Sequence, residues 1–496
     1  MSRRWWALIV ISVSQLMITV DSTIVNVALP SVQRSLGMSD ASRQWVLTAY
    51  LIAFGGLLLL GGRVADLVGR KRLLLLSVLG FAAASALGGT AGSAPVLIAA
   101  RALQGACAAL MAPAALALLA GAFPDIRERS TAMSVFSAIT GSGAAGGMIA
   151  GGALTQYLSW RWSLLINTPI GLVVAVGTVL AVSGVGTGTG TGTGSRAERR
   201  RLDIAGAATV TLALMALIFG FSQAETAGWT GPSTLALLAV SVLLATVFVH
   251  VERKTAEPLL PLSVVASRAR VAACLSQGLT VMAMFGLLLF LTYDLQTVAG
   301  YSAFRTGIAF TPLVGGMLIG AWLAGGRLPN VPPGTLMVWG CLIAAAGTAI
   351  LCGLRPDSPY FLVILPASVV FGAGRAIAYT PSMSLATHEI DPRDTGVASG
   401  LINASQQVGG AIGTALLNTI AATATASWIR THPGGPGQVT TGTVHGYAVG
   451  AAWAAGLLLL AALIVFALGR RARPARPRRR RRARAESLPV RGHSPD

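Results

Sequence analysis

Long apolar runs and short polar breaks alternate from one end of this chain to the other. A helix needs about 20 apolar residues to cross a bilayer core. Runs of that kind recur at 6–29, 45–61, 73–92, 96–121, 131–157, 163–184, 202–221, 233–250, 271–293, 306–324, 335–353, 359–383, 396–421 and 446–469. The pattern predicts fourteen spanning helices. The pair at 202–221 and 233–250 is the weakest, being divided by the polar stretch SQAETAGWTGPS. Twelve spans would result if that pair did not cross, and the two termini would still share a side.

Composition agrees with the pattern. Hydrophobic residues make up 54% of the 496 and charged residues only 11%, with 59 glycines; the mean hydropathy is +0.69. These values belong to the polytopic membrane class. Placing the N-terminus inside puts 29 of the 37 basic residues in inside segments and 6 in outside ones. This obeys the positive-inside rule and predicts a plasma-membrane protein with both termini cytoplasmic. The two remaining bases, Arg101 and Arg375, fall within spans. Cys107, Cys274, Cys341 and Cys352 lie in or at the ends of apolar runs without metal-like spacing, so neither a disulfide framework nor a metal site is expected. The first run is too long for a signal-peptide core. No G-x-x-x-x-G-K-[ST] is present, and the five histidines lie in loops, at span ends or in the tail. The expectation is a protein without cofactor that is neither an ATP-driven pump nor an enzyme.

The segment GGRVADLVGRKR at 61–72 interrupts the second and third apolar runs with Arg63, Asp66, Arg70, Lys71 and Arg72. Its glycines suggest a tight reversal. On charge alone it is a basic cytoplasmic loop. The spacing G-x-x-x-D-x-x-G-R-K, carried by Gly62, Asp66, Gly69, Arg70 and Lys71, resembles the signature loop of the major facilitator superfamily, with Val64 where that family usually has Leu. The resemblance implies a conformational latch with Asp66 as its acid. G-R-V-A-D at 62–66 returns as G-R-L-P-N at 326–330, and Arg129 and Thr131 return at the same offset of 264 as Arg393 and Thr395. Two six-helix bundles in parallel repeat are therefore expected, with the substrate site between them. In the second copy Asn330 replaces the acid and Pro332–Pro333 replace the turn.

The expected organisation is an N-terminal bundle at 1–185, a Gly/Thr linker and basic loop at 186–201, two inserted helices at 202–265, a C-terminal bundle at 266–469 and a disordered basic tail at 470–496. The tail, RRARPARPRRRRRARAES, is too charged and proline-rich to fold. It is expected to meet anionic lipid headgroups and not nucleic acid.

Candidate chemistry is sparse. Asp21 is the clear acid inside a span, about 23 Å up the first helix at 1.5 Å per residue. A carboxylate there is costly to hold charged and is functional by default, suited to carrying a proton; a helix-packing acid hydrogen-bonded to Ser22, Thr23 or a neighbour is the bland alternative. The surrounding D-S-T-I-V-N-V-A-L-P resembles the first-helix motif of the fourteen-helix drug:proton antiporters. That resemblance implies proton coupling and substrate recognition at Asp21, a cavity wall at Asn26 and a helix end or kink at Pro30. Arg101, Gln104 and Gly105 resemble the family's R-x-x-Q-G. They imply a base that biases a nearby acid or holds a polar group of the substrate, with Gln104 in the cavity; snorkelling of Arg101 to an interface is the alternative. Gly143, Gly147 and Gly151, spaced by four, line one helix face and, with Gly152, resemble the antiporter motif G-x-x-x-G-P-x-x-G-G, with Met148 in place of its proline. Close helix packing alone explains such a face. SWRWSLLINTPIG at 159–171 matches the same branch, and Trp160 and Trp162 fit an outer aromatic belt. In the second half, Asn403, Gln406 and Gln407 are candidates for the cavity. Asp294, where the branch has an uncharged residue, is a cavity acid or a solvated loop acid, and Arg375 is a snorkelling or pairing arginine.

These readings predict an all-α integral membrane protein of the major facilitator fold. It would act as a monomeric, proton-coupled secondary exporter of lipophilic small molecules of the drug or antibiotic kind. An exporter of one endogenous metabolite, an uptake system and a non-transporting membrane sensor are the alternatives.

Overall fold

The computed structural model describes residues 3–123, 125–181, 203–255, 267–327, 331–387, 395–432 and 437–469, and all regular structure among them is helical. Backbone polar groups in hydrocarbon must be satisfied within their own segment, and helices do this for every run the sequence offers. The first half comprises α1 (Arg3–Leu36), α2 (Asp40–Val68), α3 (Arg70–Gly89), α4 (Ala94–Ala122), α5 (Ile126–Tyr157), the short α6 (Trp162–Leu165) and α7 (Asn167–Ala181). The inserted pair is α8 (Ile204–Ala227) and α9 (Pro232–Lys254). The second half comprises α10 (Arg268–Tyr293), α11 (Ala303–Ala309), α12 (Thr311–Trp322), α13 (Pro333–Ile350), α14 (Ile364–Thr387), α15 (Thr395–Thr431) and α16 (Gln438–Gly469). Ten helical stretches among the described residues are long and apolar enough to cross a membrane. They supply ten of the fourteen expected spans.

Two boundaries and one belt residue differ from the sequence reading. The charged stretch 61–72 is helical throughout except at Gly69, whose φ of 93° makes the whole reversal in one residue. Hydropathy marks where hydrocarbon ends, while the helix continues into the polar zone. For the same reason α1 runs on to Leu36, with Pro30 inside it and not at its end. Trp160 is buried under the Arg161 guanidinium, 4.5 Å from the ring centroid, and only Trp162 is exposed as a belt residue would be.

The halves meet along two seams, α2 against α15 and α5 against α11. At the second seam a methyl group on Gly152 would lie 2.5 Å from the Ala303 carbonyl oxygen, and one on Gly307 equally close to that of Met148. The inserted helices pack on each other, and α8 lies against both α2 and α15. Helix α9 is turned inside out relative to a soluble helix: it buries Thr234, Ser241 and Glu252 and exposes leucines and valines. Ser241 donates to the Ala213 carbonyl of α8 at 2.9 Å. Polar groups between helices and apolar groups outward are the arrangement that lipid favours.

Candidate functional site

Helix α1 carries its carboxyl into the middle of the first half. Asp21 is fully buried, and both of its oxygens are engaged. Oδ2 accepts from the Arg101 guanidinium at 2.5 Å. Oδ1 accepts from the Gln104 amide at 3.1 Å and the Asn167 amide at 2.9 Å. Arg101, on α4, is 1% exposed and donates further to the Val46 carbonyl at 3.0 Å and to Gln104 Oε1 at 2.9 Å. Its guanidinium lies 4.3 Å from the centroid of the Tyr50 ring. Gln104 completes its bonding on Ser85 Oγ of α3, at 2.7 Å. One acid, one base, two amides, a hydroxyl and an aromatic face thus converge from α1, α2, α3, α4 and α7.

Local sequence explains the convergence. Arg101 and Gln104 are three apart on α4, so they share a face. Gly105, beside them, packs against the Tyr50 carbonyl and lets α4 and α2 approach without an intervening side chain. Gly143, Gly147 and Gly151 form the face of α5 that lies on α1, against Leu16, Thr23 and Ile24 respectively. The expected packing role of these glycines is what the structure shows, and it places α1 closely enough for Asp21 to reach its partners. Met148 is buried in the same helix.

Asp21 bonds neighbours on other helices and not the hydroxyls next to it in sequence, and Arg101 does not snorkel. Ser22 and Thr23 bond the carbonyls of Thr19 and Val20 in their own helix and not Asp21. Arg101 reaches no interface. Asn167, Tyr50 and Ser85 are additions that sequence reasoning missed.

The remaining candidates sit elsewhere. Gln104, expected at the cavity, is fully buried and donates to Asp21. Asn26 is buried and donates to the Ser22 carbonyl one turn back. Gln407 packs on Gly55 of α2 at the seam between halves. Its neighbour Gln406 makes the polar chain, donating to Gln277 of α10 at 3.1 Å, which donates to Ser382 of α14 at 2.9 Å. Asn403 is half-buried on α15. Asp294 is buried, not a solvated loop acid; it opens a π-helical turn after α10, and its Oδ1 has no hydrogen-bond partner. Of the latch, Lys71 donates to the Val179 carbonyl at 3.1 Å, Arg70 is exposed, and Gly62 has open space where a side chain would stand. The Asp66 side chain, Asn330 and the tail lie outside the described residues.

At the end of the molecule that holds the α1–α2 turn, polar groups tie the halves together. Arg43 donates to Asn418 at 3.0 Å and to Gln33 at 3.3 Å, and Tyr293 donates to Gln33 at 2.7 Å. Gln296 donates to the Val27 carbonyl at 2.9 Å. A cavity of about 480 Å³ opens there, lined by Gln33, Arg34, Arg43, Tyr293 and Tyr447 among others.

Two helical halves joined along seams, with an ion pair caged inside one of them, define the class: a polytopic membrane transporter. The family model for the Major Facilitator Superfamily matches residues 11–414, and the chain belongs to that superfamily. It is 46% identical over 469 residues to the puromycin resistance protein pur8 of Streptomyces alboniger, covering 94% of this chain and 91% of that one. It is 35% identical over 425 residues to the cephamycin export protein CmcT of Amycolatopsis lactamdurans, covering 84% and 85%. Among solved structures it resembles, at TM-score 0.67 and 17% identity, a bacterial homolog of the human lysosomal transporter Spinster in an inward-facing, unoccupied conformation, covering 95% and 97%. That likeness extends to the fold alone.

Proposed function

We propose that this protein is a proton-coupled secondary active exporter of lipophilic small molecules of the drug or antibiotic class. The observation that carries the reading is the caged carboxyl. Asp21 is an ionisable group deep in a membrane bundle, and Arg101, Gln104 and Asn167 hold its charged form. A proton arriving at Asp21 displaces the ion pair with Arg101, so proton binding and helix contacts are linked. Relatives named for resistance to or export of puromycin, cephamycin and tetracenomycin support export as the direction.

In this reading the chain crosses the membrane fourteen times, α2, α5, α8 and α14 joining the ten stretches above, and both termini lie in the cytoplasm. The protein acts as a monomer, and the arginine-rich tail rests on anionic headgroups. The Gln33–Arg43–Tyr293–Asn418 cluster is the outer seal, broken when the halves rock to face outward. Each charge that crosses is worth about 2.3 kcal/mol per 100 mV.

The test uses inside-out vesicles with an acid interior and a panel of lipophilic dyes and antibiotics. At least one compound should discharge the pH gradient in wild type and fail to do so in Asp21→Asn. Equal discharge by the variant would remove Asp21 from the coupling. A broad panel that moves no protons, with the protein shown to be folded, would sink the drug-exporter reading. The relatives named for puromycin, cephamycin, tetracenomycin C and lincomycin each carry the name of one compound; a panel in which a single compound works would mark a dedicated exporter.

A further inference from the structure

We propose that Arg375 recognises an oxyanion, a carboxylate or sulfonate, on the molecule that this protein transports. The proposal rests on the exporter reading and adds the chemical class of its substrate.

Arg375 is the twelfth residue of α14 (Ile364–Thr387), and the nearer end of its apolar run, at 383, is eight residues or about 12 Å away. An arginine side chain cannot snorkel that far. Its direction follows from helix periodicity. Ser368 and Ser382 lie seven residues to either side, two turns each way, so the three residues share a face. Ser368 lines a small apolar cleft with Leu288 and Leu291 of α10. Ser382 accepts from Gln277 of α10. The face that bears Arg375 is therefore turned to α10 within the second half, and not to lipid.

Among the described residues, Arg375 differs from the other two arginines in its partners. Arg101 has a carboxylate, a carbonyl, an amide oxygen and an aromatic face. Arg43 has Asn418, Gln33 and the Tyr293 ring. Arg375 makes no hydrogen bond and no ion pair with any described residue, and its Nε is sealed from solvent without an acceptor. Tyr379, one turn on, is the one titratable group among the described residues near enough to act on it. A guanidinium does not shed its proton, so burial cannot be relieved by neutralisation. The residue as a whole is half-buried, so the cost falls on the sealed Nε, and it is recovered when a ligand supplies the missing acceptor. The planar fork of donors suits a two-oxygen anion, which it can hold bidentately.

The experiment measures thermal stabilisation of the purified full-length protein in detergent by two probes with one aromatic skeleton. These are 8-anilinonaphthalene-1-sulfonate and its neutral parent, N-phenyl-1-naphthylamine. Wild type should be half-stabilised by the sulfonate at a concentration about ten- to a hundredfold below that for the neutral probe. Arg375→Gln should erase that preference, and Arg375→Lys, which keeps the charge but not the fork, should retain only part of it. A preference unchanged in Arg375→Gln, or absent from wild type, overturns the proposal. If Arg375→Gln does not fold, Arg375→Lys decides alone: a full preference there refutes recognition by the fork. Loss of proton-coupled export with the preference intact would sink the exporter reading and leave the anion site standing. Intact export with a preference indifferent to Arg375→Gln would do the reverse.

Discussion

The ion pair at the centre of the first half predicts an asymmetry between its two members. Asp21→Asn leaves Arg101 charged with no acid beside it among the described residues, holding neutral acceptors such as the Val46 carbonyl and Gln104 Oε1 and the Tyr50 face. Removing one partner of a buried pair costs about 3–5 kcal/mol, because the other charge is left uncompensated. Arg101→Met leaves Asp21 with two amide donors, Gln104 and Asn167. The carboxyl has an escape that the guanidinium lacks: it can take up a proton and become neutral. The remaining loss is that of charge-assisted hydrogen bonds, about 1.5–3 kcal/mol. The double variant Asp21→Asn/Arg101→Met removes both charges, and replacing a whole buried pair is often nearly neutral. The expected order of stability is wild type close to the double variant, then Arg101→Met, then Asp21→Asn. Unfolding of purified protein by added sodium dodecyl sulfate, followed by tryptophan fluorescence, gives the four corners of the cycle. Additive single effects would refute the reasoning, because they would mean the two groups do not face each other in the populated state. So would an Asp21→Asn protein as stable as wild type.

Three further outcomes are expected. Gly151→Ala should lower the yield of folded protein sharply, because its methyl group would lie 2.7 Å from the Ile24 carbonyl oxygen, whereas Gly146→Ala, with open space, should be neutral or stabilise by about 0.5–1 kcal/mol; detergent size-exclusion profiles separate the two. Gly69→Ala should destabilise by about 1–2 kcal/mol through its φ of 93°, while Gly62→Ala should not, a contrast that melting temperatures resolve. Asn418→Ala removes the acceptor of Arg43 across the halves, so a cysteine placed at Thr297, in a background lacking Cys352, should react several-fold faster with an impermeant thiol reagent; an unchanged rate would remove the Arg43–Asn418 bond from the seal.

Much of the fold was legible because lipid imposes one rule on every span, and the runs of apolar residues record it directly. Asp21, Arg101 and Gln104 were legible for the complementary reason, since polar side chains inside such runs stand out. Asn167 did not stand out. It lies just past two tryptophans and an arginine, in a stretch that looks like a membrane boundary, and only the packing of α7 on α1 turns its amide to Asp21. Tyr50 and Ser85 were hidden in the same way, because an aromatic ring or a small hydroxyl in an apolar run is ordinary core. The bonds of Gln104 to Asp21 and Ser85 were not legible, because sequence shows that a side chain is polar and not which neighbour it meets. The helix ends were misjudged wherever charge and helix coexist, as at 61–68, because hydropathy marks the limit of hydrocarbon and the backbone continues past it.

The distribution of polar groups constrains any coupling between proton and substrate. All six side chains of the Asp21 cage come from the first half, while Arg375 and the Gln406–Gln277–Ser382 chain belong to the second. No hydrogen bond in the cage crosses a seam, so any effect of a proton bound at Asp21 on the second half would have to travel through helices. Helix α1 is placed to carry that action. It holds Asp21 at its middle and, twelve residues or about 18 Å further on, Gln33, which bonds Tyr293 and Arg43. Helix α5 lies along α1 on its glycine face and meets α11 through Gly152. With Asp21 charged, α1 is tied to α4 and α7 by three hydrogen bonds; with Asp21 protonated, the ion pair to Arg101 is gone and the same helix is held less firmly. A coupling mechanism built on this acid must therefore work by releasing α1, and the contacts that sense the release are those at Gln33 and along α5.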